Sequence, residues 1–138
     1  MANALYDKGR EAFLGSSTGS ISWSADTIKA VLVSSSYTPN TATHQFVTSI
    51  TSSTGSVTAQ TLSSKDSAAG VADAADVTFS TVAANSVWNY VVLFKDTGAM
   101  GTSQLICVLD TATGLPLTSS GGDIIISWDN GANKIFKL

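Results

Sequence analysis

A chain of 138 residues is long enough to bury a core as a single domain. Its charged residues make up only 12% and its net charge is −3, with seven Lys and Arg scattered along it, which excludes the basic stripe that nucleic-acid binding requires. Its apolar runs are far too short to span a membrane, the opening Met1-Ala2-Asn3-Ala4 lacks the basic and apolar regions of a secretory signal, and the lone Cys107 rules out an intramolecular disulfide framework. A protein of this kind is expected to fold in a reducing cytoplasm. Ser and Thr supply most of its polarity, which suits strands and turns more than helices. So few charges leave a surface poorly protected against association, so partners are expected to cover part of it.

Residues 3–14 form the one helix candidate, with Leu5, Ala12 and Phe13 near one face, Asn3 placed to cap the start and Gly15 to end it. Asp7 and Arg10 are spaced to pair one turn apart, while Gly9 costs about 1 kcal/mol relative to Ala in mid-helix. A segment this short needs something to pack on, either its own sheet or a neighbouring subunit as an N-terminal arm. The boundary is set at residue 15, with 1–15 as helix or arm and 16–138 as the β domain. Residues 15–20 read as a Gly/Ser/Thr linker. Residues 20–24 alternate as a short strand, and residues 26–34 make the first long strand, apolar on both faces from Ala30 to Val33. Residues 34–45 form a polar loop holding Tyr37, Pro39 and His44. Residues 46–50 suit a short strand or one helical turn, and residues 57–62 an edge strand of small polar side chains.

Residues 71–76 are expected to turn. Residues 76–82 alternate, with Val77, Phe79 and Thr81 on one face. Residues 86–95 and 103–110 are apolar on both faces, which places them centrally. Asn130-Gly131 is the preferred pair for a two-residue type I′ turn. It predicts a terminal β-hairpin over residues 121–138, with Ile126 facing Ile135 and Ile125 facing Phe136, completing the core sheet beside 86–95 and 103–110. The expected architecture is all-β: an antiparallel β-sandwich or barrel of about eight strands with a short N-terminal helix.

Residues with reactive chemistry are sparse. His44 is the only histidine, and no G-x-S-x-G elbow accompanies it. Cys107 sits between Ile106 and Val108, the setting of a buried structural thiol rather than a nucleophile. No enzymatic activity, cofactor or metal is therefore expected. Asp96, Asp110, Asp123 and Asp129 fall at strand ends, where turn formation is the plain reading and convergence on Ca²⁺ the alternative. Trp23, Trp88 and Trp128, with Tyr37 and Tyr90, suit core or interface packing, or else a sugar-binding aromatic face.

Several blocks taken together carry a resemblance. They are the opening Met1-Ala-Asn-Ala-Leu-Tyr-Asp-Lys-Gly-Arg-Glu-Ala-Phe-Leu14, the middle runs Ala25-Asp-Thr-Ile-Lys29, Tyr37-Thr-Pro-Asn40 and Ala74-Ala-Asp-Val-Thr-Phe79, and the closing Asp110-Thr-Ala-Thr-Gly-Leu-Pro116, Gly121-Gly-Asp-Ile124, Trp128-Asp-Asn-Gly131 and Lys134-Ile-Phe136. This set resembles a family of small structural proteins of tailed bacteriophages. The resemblance implies a virion protein, first a capsid decoration (cement) protein on the head exterior, with a tail or head–tail connector component as the alternative and a carbohydrate-binding module as an alternative of another class. It implies as partners the major capsid protein lattice and other copies of the chain in a homotrimer, with no nucleic acid and no membrane. The residues expected at the partner contact are Leu5, Tyr6, Arg10 and Phe13 of the N-terminal segment and Tyr37, Pro39 and His44 of the 34–45 loop.

Overall fold

A computed structural model describes residues 3–15, 19–55, 57–111 and 114–138. The chain runs β1 (Ala4–Leu5), α1 (Asp7–Phe13), β2 (Ile28–Val33), β3 (Gln60–Thr61), β4 (Val71–Ala72), β5 (Val77–Phe79), β6 (Val87–Trp88), β7 (Tyr90–Lys95), β8 (Gln104–Leu109), β9 (Leu117–Thr118), β10 (Ile124–Ile126) and β11 (Phe136–Lys137). The fold is all-β and antiparallel, as expected. A five-stranded sheet of order β1-β8-β7-β2-β3 is accompanied by three two-stranded ribbons, β10·β5, β11·β4 and β6·β9.

The three long strands explain this arrangement. Side chains alternate between the faces of a strand, and β2, β7 and β8 are apolar at nearly every position. Ile28, Ala30, Leu32, Val91 and Leu93 therefore enter one buried cluster, while Val31, Val33, Val92, Phe94 and Val108 enter a second on the opposite face. The ribbons cover the first face with Ala72, Val77, Phe79, Trp88 and Ile124. The segment between β2 and β3 covers the second with Tyr37, Val47 and Ile50. The register slips between Leu93↔Cys107 and Phe94↔Leu105. Ile106 is the extra residue of that bulge, and it joins Cys107 on the first face.

The N-terminal segment is built into this sheet. β1 pairs with the outer edge of β8 through Ala4↔Val108 and Leu5↔Cys107, and α1 then crosses back over β8. Asn3 does not cap the helix; its Oδ1 accepts the amides of Asp110 and Thr111 at 2.8 and 3.0 Å. Gly9, a liability by helix propensity alone, is what lets α1 lie on the strand: a Cβ there would stand 2.7 Å from the Leu105 carbonyl oxygen. At the far end Phe136 joins Phe13 at 5.8 Å and Trp23 at 5.3 Å between ring centroids, so α1 and β11 share one aromatic cluster.

The predicted terminal hairpin is not formed. β10 pairs with β5 through Ile124↔Phe79, Ile125↔Thr78 and Ile126↔Val77, and β11 pairs with β4 through Phe136↔Ala72 and Lys137↔Val71. Neither arm joins β7 or β8. Asn130 and Gly131 are not among the positive-φ residues that a type I′ turn requires. The tight turn comes later, where the Lys134 amide donates to Gly131 O at 3.3 Å and Lys134 itself takes φ 42°. Burial outweighs local turn preference here, because a lone two-stranded ribbon is marginal in water. Separating the arms lets Ile124, Trp128 and Ile135 all enter the core. Trp128 is fixed by its amide to Asp76 Oδ1 (3.1 Å) and its indole N–H to Ala75 O (2.9 Å).

Smaller differences have similar causes. Residues 20–24 turn instead of extending, with the Ser22 amide bonded to Asp26 Oδ2 at 2.8 Å. Residues 47–49 form a single 3₁₀ turn. Thr81, expected beside Val77 and Phe79, has left the strand at φ 51° and is exposed.

Two predictions follow from this packing. Gly9→Ala should lower stability by about 2 kcal/mol, as overpacking against backbone does, instead of raising it by the ~1 kcal/mol of helix propensity; urea unfolding decides between the signs. Burial pushes the Cys107 thiol up to about 12 from 9.0. Above pH 9 the unfolded thiol ionises while the folded one does not, so its contribution to stability is present below pH 9 and is lost as pH rises toward 12. Cys107→Ala should weaken the decline in unfolding midpoint that sets in above that pH.

Candidate interaction surface

The expected contact residues divide into those that form a surface and those that hold it. Tyr6 is the extended residue between β1 and α1. Its amide donates to Ile106 O at 2.9 Å, and its side chain is fully buried on the second face of the sheet. Tyr6 Oη lies 2.7 Å from Tyr37 Oη, and Tyr37 Oη lies 2.8 Å from His44 Nδ1. Tyr90 of β7 stands edge-on to Tyr37 at 6.1 Å. A buried phenol is costly to ionise: burial raises the pKa of Tyr6, and its hydrogen bond to Tyr37 raises it further. Burial also raises Tyr37, partly offset by the hydroxyl of Tyr6 and the Asn40 amide. Tyr6 and Tyr37 are therefore corrected from contact residues to internal supports.

Those supports join two distant parts of the chain. The Asp7 amide, one of the first N–H groups of α1 and otherwise unsatisfied, donates to Thr41 O of the loop at 2.8 Å. Within the loop, Asn40 Oδ1 accepts the Ala42 and Thr43 amides at 3.2 Å each. Directly after the loop, the Leu105 amide donates to Gln45 O (2.8 Å) and the Val47 amide to Ser103 O (2.9 Å). The outer edge of β8 is thus shared, with β1 covering one half and residues 45–47 the other, a arrangement that leaves little edge for stray pairing.

Arg10 remains exposed, and Pro39 and His44 are half-buried. These three are the expected contact residues that can form part of a surface. Leu5 and Phe13 are partly buried and pack against the first core cluster. The outward charges of α1 neutralise one another, Lys8 with Glu11 at 2.9 Å and Arg10 with Asp7 at 3.3 Å. Exposed pairs of this kind contribute little stability, but they leave the side chains of the helix with no net charge.

Sequence reasoning did not anticipate a cleft of about 260 Å³ on the same sheet face, formed where the 3₁₀ turns stand off from β2 and β7. Val31, Val47, Ile50, Val57 and Phe94 line it, together with the Lys29–Asp96 ion pair (2.8 Å). Met100, 61% exposed, borders it. Its hydroxyls are engaged: Thr51 donates to Thr48 O, Thr54 to Thr51 O and Ser103 to Ala99 O. Among the described residues the cleft suits apolar groups and offers none of these hydroxyls to orient a polar one. Two apolar strand faces meeting a covering segment of short turns are its only trace in the sequence.

The remaining sequence candidates have structural work. Cys107 is buried. Asp96 pairs with Lys29, and Asp123 Oδ1 accepts the Thr81 amide at 2.9 Å. Among the described residues no three His, Cys, Asp or Glu side chains gather to hold a metal ion, and no helix is long and apolar enough to cross a membrane. Trp23, Trp88 and Trp128 are all buried, which removes the exposed aromatic platform that a sugar-binding module needs. Comparison with known proteins finds no match to a family model, a curated sequence or a solved structure.

The dependence of Tyr6 on Tyr37 can be tested by deletion. Tyr37→Phe leaves Tyr6 Oη buried without its partner and should cost about 1–3 kcal/mol. Tyr6→Phe leaves Tyr37 still bonded to His44 and should cost less. Urea denaturation of both variants gives the comparison.

Proposed function

We propose that this chain is a structural protein of a tailed-phage virion, a decoration protein that binds the major capsid protein lattice on the head exterior. The head assignment comes from the sequence resemblance. The structural observation that best supports it is the fastening of the N-terminal segment to the 34–45 loop through Tyr6, Tyr37 and His44. A protein that adheres to a lattice benefits from a contact surface ordered before binding, because less conformational entropy is then lost on docking. The self-neutralised charges of α1 suit contacts made through shape and hydrogen bonding. A protein that binds only the assembled lattice stabilises it by mass action.

Removing residues 1–15 would strip β1 and α1 from the sheet and confuse binding with folding, so surface substitutions are the better test. The double variant Arg10→Ala, Pro39→Ala should reduce copies per capsid at least about tenfold, if each lost contact contributes on the order of 1 kcal/mol, while leaving the unfolding midpoint near that of the parent. Quantitative gel analysis of purified heads measures occupancy. Unchanged occupancy would overturn this surface. Cryo-EM of virions tests the location: many copies over the head support decoration, and a ring at one vertex or along the tail would replace it with a connector or tail component.

A further inference from the structure

The cleft beside Met100 follows from which side chains share the second face of the sheet. Lys29 and Val31, two apart on β2, lie on one face, and Phe94 stands opposite Lys29 on β7, with Asp96 two residues beyond it. The covering segment meets this face through short turns, which bring Val47 and Ile50. Val57 and Ala59, on the way to β3, and the 98–103 turn between β7 and β8 complete the lining. The result is a space of about 260 Å³ whose apolar walls, Val31, Val47, Ile50 and Phe94, are themselves buried. An apolar cavity of about 150 Å³ is already large enough to bind benzene.

Each polar side chain of that lining already has a partner within the protein. Lys29 Nζ lies 2.8 Å from Asp96 Oδ2, and Asp96 Oδ1 accepts the Gly98 amide at 3.0 Å. Ser103 donates to Ala99 O at 2.8 Å and accepts the Thr97 amide at 3.1 Å. Thr51 and Thr54 donate to the carbonyls of Thr48 and Thr51. A charged ligand group would meet both members of the ion pair. Its attraction to one is offset by repulsion from the other, so nothing compensates its own desolvation. The neutral rim is therefore complementary to a ligand without charge. At the edge, the exposed Met100 is a flexible apolar side chain that a seated ligand would draw out of water.

We propose that this cleft is a binding site for an uncharged apolar compound, an alkyl or aryl group of about six carbon atoms, held by Val31, Val47, Ile50 and Phe94 and covered by Met100. The site is separate from the N-terminal segment and the 34–45 loop, and it does not rest on the decoration role.

The test uses the isolated full-length protein and three probes of equal chain length: 1-hexanol, hexanoate and hexylammonium. Carbon–proton correlation NMR follows the methyl groups of Val31, Val47, Ile50 and Met100. With 1-hexanol these signals should shift together and saturate, with a dissociation constant in the millimolar range or tighter, as about seven non-hydrogen atoms allow. Methyl groups of the first core cluster, such as those of Val77 and Ile124, should not move. Hexanoate and hexylammonium should each bind about tenfold more weakly, having a charge to desolvate. Ala59→Leu and Ala99→Leu each put a larger side chain into the lining and should weaken 1-hexanol binding about tenfold or more. Ala99 is exposed, so its variant keeps the test available should Ala59→Leu not fold. No saturation below about 10 mM, equal or tighter binding of either charged probe, or undiminished binding by a folded Leu variant would overturn the site. Shifts of the same methyl groups on dilution without a probe would show a second copy of the chain seated in the cleft, and would overturn it as well. None of these readouts involves a capsid, so failure of this site and failure of the decoration role are separable.

Discussion

The whole structure depends on three neighbouring strands that have no polar face. β2, β7 and β8 are the long elements, and both of their surfaces must leave water. A sheet of this kind cannot serve as one half of a simple two-layer fold. It requires covers on both sides, and the chain supplies two different kinds. On the first face, short ribbons carry Val77, Phe79, Trp88 and Ile124 inward. On the second, an irregular segment brings Tyr37, Val47 and Ile50. Irregular covers pack less uniformly than strands, and the cleft beside Met100 lies on that second face.

Closure of the sheet edge follows from the same constraint. β8 is buried on both faces and would expose a long unpaired edge if left alone. β1 and residues 45–47 divide that edge between them, which draws the start of the chain and the end of the 34–45 loop to the same place. Once there, Tyr6 has to enter the second core, and its hydroxyl needs a partner within it. Tyr37 and His44 carry that hydrogen bond out to the surface. The proposed contact surface is therefore a by-product of covering one strand, and its order is tied to the core through a buried phenol.

The sequence was legible wherever one short-range property settled the outcome. Double-sided apolarity identified β2, β7 and β8 and placed β7 and β8 centrally; that β2 pairs with β7 came from the structure. Alternation found β5 through Val77 and Phe79. The setting of Cys107 between Ile106 and Val108 marked it as buried. Reading failed where two segments competed for the same partner. Asn130-Gly131 has the local chemistry of a hairpin turn, but the gain from that turn is small beside the burial of Trp128 and Ile135, which needs β10 and β11 on different ribbons. Asn3 and Gly9 were misassigned for a related reason. Each was judged against helix rules, whereas its role is set by β8, about a hundred residues further along the chain. Of the candidate surface, the N-terminal segment and the loop were both singled out. Their union, and the inward turn of Tyr6 and Tyr37, were not.

By itself, then, the amino-acid order determined the class of fold, the identity of the central strands and the thinness of the reactive chemistry, because composition and periodicity act over a few residues. Tertiary structure alone decided which ribbons form, which aromatic side chains are supports and that Tyr6, Tyr37 and His44 meet. Those outcomes depend on contacts between segments far apart in sequence, where burial of large side chains and the satisfaction of buried polar groups outweigh local preference.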